Sequence, residues 1–318
     1  MGIGSGTDAA VVAGVPRLDL RVAARRHRRE RLAHLAFMGA ASLSVVVSAL
    51  ILVSLFDGTV DFLGRVDPAS LWNPHGWFPR RGLFDLRTIV AGTFLIAVVA
   101  MAVAAPLGLA SALFLSEYAG RRGRAVLKPV LEVLAGVPSV VMAFFALRFV
   151  SPEVVQRLAP GASLYNMAAA AIGVGLLVTP IVASVAEDAL HAVPVSLREA
   201  SFALGARRRT TSVRVVAPAA VSGIVAALIL GFSRAVGETL VVTIAAGATG
   251  GSPFTLDLLG PGTTMTAAMA SLATGSDQVK ATGPAFPSLF FVGTLLFFTT
   301  LGLNVVSERF VRRVRRRL

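Results

Sequence analysis

The chain has 318 residues, 55% of them hydrophobic and only 15% charged, with a mean hydropathy of +0.76, which is more apolar than a soluble protein of this size. It holds no cysteine, so disulfides, thiolate zinc sites and thiol catalysis are excluded. The net charge of +13 would suit a nucleic-acid binder, but the basic residues cluster beside apolar stretches, which is the pattern of membrane topology, and nucleic acid is excluded as a partner.

A bilayer core of roughly 30 Å takes about 20 apolar residues in a helix. Six stretches reach that length: 32–56, 88–115, 127–150, 165–186, 217–247 and 286–307. The predicted class is an all-α polytopic membrane protein with six transmembrane helices. A basic tail (1–31) precedes the first helix (32–56), a loop (57–87) separates it from a five-helix domain (88–307), and a second basic tail (308–318) follows. Pro138 and Pro180 interrupt the third and fourth spans, which membrane helices tolerate. Segment 32–56 is too long and too far from the N-terminus for a cleaved signal peptide, and is expected to be a true span.

Counting Lys and Arg between spans orients the chain. The N-terminal tail, the loops after the second and fourth spans and the C-terminal tail carry 22 positive charges, against 7 in the alternate segments. The positive-inside rule then places both termini in the cytoplasm. On the outer side, 57–87 holds Trp72 and Trp77, either headgroup anchors or part of a docking surface. Segment 248–285, rich in Gly, Pro and Thr, is a candidate re-entrant or gating element. No internal repeat is visible, so the inverted-repeat plan of secondary transporters finds no support.

The fifth span carries Arg234 and Glu238, four residues apart and so expected on one helical face at membrane depth. An unpaired charge there costs from roughly 3 to well over 10 kcal/mol. The pair reads either as a structural ion pair or as an arginine facing a translocation path with Glu238 holding it. A guanidinium suits an oxyanion, offering parallel donors and never deprotonating. Ala219, Gly223, Ala227, Gly231 and Ala235 add a small-residue stripe at four-residue spacing, which lets another helix approach closely.

Between the fourth and fifth spans lies EDALHAVPVSLREASFALGARRRTTSVRVV, residues 187–216. Pro194 and Ser196 are expected to start a helix with Glu199 completing a capping box, Gly205 to end it, and a second short helix to follow. Such an amphipathic element could lie on anionic headgroups or dock a soluble protein.

In this loop Glu199-Ala200-Ser201, Gly205 six residues after Glu199, and Val215-x-x-Pro218 resemble the EAA signature of ABC importer permeases. The chain departs from that signature at Ser201, Val215 and Ala217, with the spacing kept. The continuation Gly231-x-x-Arg234-Ala235-x-Gly237-Glu238-Thr239 is similar to phosphate-specific permeases. So are Leu115-Ser116-Glu117-Tyr118-Ala119, Leu134-Ala135-Gly136-Val137-Pro138-Ser139 and Glu187-Asp188-Ala189-Leu190. The extended N-terminal region and Met265-Thr266-Ala267 favour the PstC type over the PstA type, and Arg148 stands where an apolar residue is expected.

The resemblance implies the ABC type I importer permease fold in a bacterial cytoplasmic membrane, paired with a homologous permease as a heterodimer and surrounded by lipid. Two ATP-binding subunits would bind ATP and Mg, since this chain has no GxxxxGK[ST] loop and needs no cofactor of its own. An extracytoplasmic phosphate-binding protein would deliver substrate. The chain itself is expected to be non-catalytic. Arg234 and Glu238 would line the substrate path. Arg198, Glu199, Ala200, Leu204, Gly205, Ala206, Val215 and Pro218, within a loop bounded at 187–218, would couple to the ATPase. The alternatives are the partner PstA-type permease, an ABC permease for sulfate, molybdate or phosphonate, and an ion-coupled secondary carrier.

Overall fold

A computed structural model describes residues 20–72, 74–247, 250–274 and 283–315. The N-terminal tail to residue 19, and Lys280 with its surroundings, lie outside the described residues. The chain divides into two units, 1–54 and 55–318.

The first unit contributes most of helix α1, Leu20–Arg65. Leu35, Phe37, Val45, Leu50 and Val53 are all exposed, as suits a helix whose surroundings are hydrocarbon. The helix outlasts the predicted span 32–56, because its last turns belong to the second unit and are held by packing there. Phe62 is fully buried, stacked on Phe291 with ring centroids 4.9 Å apart and edge-on to Phe84 at 5.1 Å.

In the second unit a two-stranded hairpin, β1 (Trp77–Phe78) and β2 (Leu83–Phe84), precedes helix α2, Leu86–Leu113. Asp85 caps α2, accepting from the Arg87 N–H at 3.2 Å and the Thr88 hydroxyl at 2.8 Å. Trp77 is 1% exposed inside a small core with Phe62, Phe84 and Ile89, whereas Trp72 is exposed. Neither sequence reading of the tryptophans holds for Trp77: its ring is core, because the hairpin folds back onto the helix ends.

Helix α2 ends in a π-helical turn, Phe114–Tyr118, followed by amphipathic α3, Arg121–Ala135. The predicted span 127–150 is corrected here. Gly136 ends α3, Pro138 starts α4 (Ser139–Phe145), and the helix winds on through a π-helical run, Ala146–Val155, to Leu158. The span is therefore Ser139–Leu158. Proline disfavours helical geometry in the residue before it, so Val137 breaks the helix where the charged half of α3 gives way to apolar sequence.

Helix α5, Met167–His191, runs unbroken through Pro180. Its cap is Asn166, whose Oδ1 accepts from the Ala169 N–H at 2.7 Å. It packs closely on α2: a Cβ built on Gly175 would lie 2.7 Å from the Ala100 carbonyl, so no larger residue fits without the helices separating. Two short helices follow, α6 (Val195–Ala203) and α7 (Arg208–Thr211).

The predicted fifth span, 217–247, is not one rod. Residues Arg208–Ala219 and Val221–Val236 meet at a bend of 72°, and α8 (Val221–Val236) is separated from α9 (Leu240–Ala245) by Gly237–Thr239. Among the described residues, five helices are long and apolar enough to cross a membrane, six if this bent pair counts as one. Within 248–285, the described part includes a short helix, α10 (Met265–Ala273), too short to span and largely buried. The final span belongs to α11, Pro287–Arg315.

Candidate functional site

The small-residue stripe does what its spacing implies. A Cβ on Gly231 would lie 2.6 Å from Val182 of α5, and one on Gly223 would overlap the Ala189 methyl. Ala227 and Ala235 are buried on the same side, while Ala219 lies beyond the bend. This packing presents the adjoining face of α8, with Leu230 and Arg234, outward.

Arg234 and Glu238 meet: Nη1 donates to Oε2 at 2.9 Å. One continuous helical face does not bring them together, however. The helix ends at Val236, Gly237 caps it, and Glu238 lies in the break. The two partners also differ in exposure, at 43% for the Arg234 side chain and 3% for Glu238. Glu238 is anchored through both side chain and backbone. Its Oε1 accepts from the Val241 N–H at 3.5 Å, its backbone carbonyl accepts from the Thr266 hydroxyl at 2.7 Å, and the N-terminal end of α10 is tied to α2 by the Met265 N–H donating to Thr93 at 2.9 Å. The other N–H groups of Arg234 have no acceptor among the described residues. The arrangement is a guanidinium held at one corner by an enclosed carboxylate with its remaining donors open.

At the opposite end of α2, the 187–218 loop folds as a helical knob. Gly205, at φ +78°, ends α6 through paired bonds from Gly205 N–H to the Phe202 carbonyl (2.9 Å) and from Ala206 N–H to the Ser201 carbonyl (3.1 Å). The expected capping box does not form: Pro194 is the cap and makes no side-chain bond, because Ser196 already lies inside the helix. Ser201, where the signature has alanine, bonds to Thr211 of α7 at 2.9 Å and ties the two short helices together.

Arg198 points inward. It donates to Glu117 at 2.9 Å and to the carbonyls of Leu190 at 2.8 Å and Val193 at 2.5 Å. Arg208 lies over the Tyr118 ring, 5.5 Å from its centroid. The knob is thereby fastened to the end of α2. Glu199, Ala200, Gly205 and Pro218 are exposed, Ala206 and Val215 half-buried, and Leu204 is 89% exposed. With Phe202 and Leu197, Leu204 gives the knob an outward apolar surface.

Beside it, Glu187 of α5, 1% exposed, accepts from Lys128 of α3 at 2.9 Å and pairs with Arg124. The hydrogen bond to Glu187 raises the Lys128 pKa above its ordinary value, against the lowering effect of burial. Sequence reasoning assigned no role to Glu117, Tyr118, Glu187 or Thr266. All four lie in stretches with family resemblance, which was the available signal, but nothing local marked Thr266 as a partner of Glu238. Among the described residues no cluster of His, Asp or Glu could hold a metal.

A bent helical bundle with a knob fastened beneath it defines a class. The chain resembles the permease of a bacterial alginate ABC transporter solved with an alginate-bound periplasmic protein, at TM-score 0.65 and 13% identity, covering 91% of this chain and 97% of that one. It also resembles the MetNI methionine ABC transporter, at TM-score 0.51 and 18% identity, covering 70% and 91%. The fold is that of ABC importer permeases, in a multi-pass protein of the inner membrane. Residues 104–318 match the family described as binding-protein-dependent transport system inner membrane component, and the chain belongs to that family.

Among curated relatives, the probable ABC transporter permease protein YqgH of Bacillus subtilis is 35% identical over 64% of this chain and 68% of its own length. The phosphate transport system permease protein PstC of Xylella fastidiosa is 27% identical over 85% and 88%. PstA 1 of Mycobacterium tuberculosis is 40% identical, but over 49% of each chain.

Proposed function

We propose that this chain is the PstC-type permease subunit of an ATP-driven inorganic phosphate importer. The observation that carries this reading is the Arg234–Glu238 pair, in which the carboxylate is enclosed and the guanidinium keeps free donors. Charge-assisted bonds from such a fork are suited to a tetrahedral oxyanion, and Glu238 sets the fork's orientation and weakens its hold enough for release. The likeness to PstC relatives over 85% and 78% of this chain supports phosphate as the anion.

In this reading both termini and the 187–218 knob are cytoplasmic. The knob seats on one of two ATP-binding subunits through Glu199, Ala200, Leu204, Gly205 and Ala206. ATP and Mg are bound there and not by this chain. Arg198 passes knob movement to α2 through Glu117, and Val215 and Pro218 carry it to the 72° bend below α8. A homologous permease closes the other half of the path, and an extracytoplasmic phosphate-binding protein delivers the anion.

The test is uptake of radiolabelled phosphate by vesicles holding the complete transporter. ATP-dependent uptake that sulfate and molybdate do not compete away supports the reading. Sulfate competing better than phosphate overturns the substrate, and transport by the purified chain without an ATPase overturns the class.

A further inference from the structure

The third span carries a cation that this mechanism leaves unused. Arg148 is the tenth of the twenty residues of Ser139–Leu158. Its side chain is exposed, and its guanidinium has no ion-pair or hydrogen-bond partner among the described residues.

Helix α5 serves as a ruler for its depth. Asn166, at one end of α5, donates to Ser151 at 2.8 Å, and a Cβ on Gly173 would lie 2.8 Å from that of Ala146. The two helices run antiparallel, and Arg148 falls level with about residue 170 of α5. On α8, Gly231 sits against Val178 and Val182, while Val241 of α9 meets Gly173. Arg234 therefore falls level with about residue 177. At 1.5 Å per residue, Arg148 lies about 10 Å nearer the hairpin end than Arg234.

Three further observations bear on what Arg148 faces. A bare guanidinium turned to hydrocarbon costs roughly 3 to over 10 kcal/mol. The helix around it is π-wound from Ala146 to Val155, a geometry frequent at functional sites. Both α4 and this π-wound run pack against α9, the short helix that directly follows Glu238. Arg148 and Arg234 are thus carried by segments flanking one element.

We infer that Arg148 is a second anion-binding cation of the translocation path, which takes up the oxyanion from the hairpin side before Arg234 does. The inference rests on the reading above for what is transported. Two cations about 10 Å apart divide the passage into two weaker sites, which suits an anion that must enter readily and still leave.

The absence of cysteine from this chain makes the test direct. Arg148→Cys is assembled into the complete transporter in vesicles, and phosphate uptake is followed before and after external, membrane-impermeant methanethiosulfonates. The expected result is a KM for phosphate raised about tenfold with Vmax within about twofold, since one charge-assisted contact is lost. The cationic reagent then lowers KM again, the anionic one does not, and phosphate slows labelling. Arg148→Lys is expected to stay close to the parent. An unchanged KM, or a thiol reached only by lipid-soluble reagents and not protected by phosphate, shows the side chain reaching headgroups and overturns the inference. Failure of Arg148→Cys to assemble with the second permease shows an ion pair across that interface and overturns it equally. Arg234→Gln, run in parallel, separates the two claims: uptake surviving there sinks the oxyanion path itself, whereas silence at Arg148 alone sinks only the second site.

Discussion

Two ion pairs at opposite depths of the molecule have the same chemistry and opposite settings. In the knob, Arg198 and Glu117 have side chains only 17% and 7% exposed, and two backbone carbonyls take up further guanidinium donors. In the bundle, Glu238 is as enclosed as Glu117, but Arg234 is 43% exposed with donors to spare. An arginine with three donors spent on a carboxylate and two backbone carbonyls is a fastener. One held at a single corner can exchange partners. On the proposed function, the first pair would transmit knob movement and the second would contact the anion.

The comparison can be broken most sharply at Arg234. Arg234→Gln is expected to abolish ATP-dependent phosphate uptake while the complex still purifies intact; near-normal uptake would make both pairs structural. Next in size is Arg198→Gln, which removes a charged anchor worth on the order of 2–3 kcal/mol from the knob. Basal ATP hydrolysis should persist with uptake falling several-fold, and tight coupling in that variant would show that Glu117 receives nothing from the loop.

Gly205→Ala comes third. A Cβ at φ +78° costs about 1–2 kcal/mol and should lower both melting temperature and ATPase co-purification. Glu199→Lys, on an exposed position, should leave stability within about 0.5 kcal/mol while weakening ATPase recruitment in a pull-down. Unchanged recruitment would remove the docking role from that face.

The smallest effect concerns pH. Lys128 has its pKa raised above 10.5 by Glu187, so its contribution to stability is complete below that value and lost as pH climbs through the raised one. Melting temperature should therefore show a Lys128-dependent fall only above about pH 10.5, absent in Lys128→Met.

Most of this molecule was legible in one dimension wherever a local rule governs. Span lengths, the glycine that ends α6 and the small-residue stripe each depend on a residue and its near neighbours. The errors fall where distant segments compete. Residues 127–135 are apolar enough to pass as the start of a span, yet they lie in an amphipathic helix whose Lys128 and Arg124 pair with Glu187. Trp77 has the composition of an interfacial anchor, yet Phe62 and Phe84 enclose it. Segment 217–247 is apolar apart from Arg234, Glu238 and a few hydroxyl residues, and its mean hydropathy does not show the break that frees Glu238 from the helix.

By itself the sequence determined that the protein lives in a membrane, roughly how many times it can cross, and which charges fall within apolar stretches. Hydrophobicity and charge are additive along a chain, so counting suffices for those questions. Only the tertiary structure decided which way each charge turns. Arg198 faces Glu117 across 81 residues of chain, and Glu238 is anchored by Thr266 across 28. An arginine becomes a fastener or an open donor according to the acceptors that folding brings within 3 Å of it, and spacing along the chain does not report that distance.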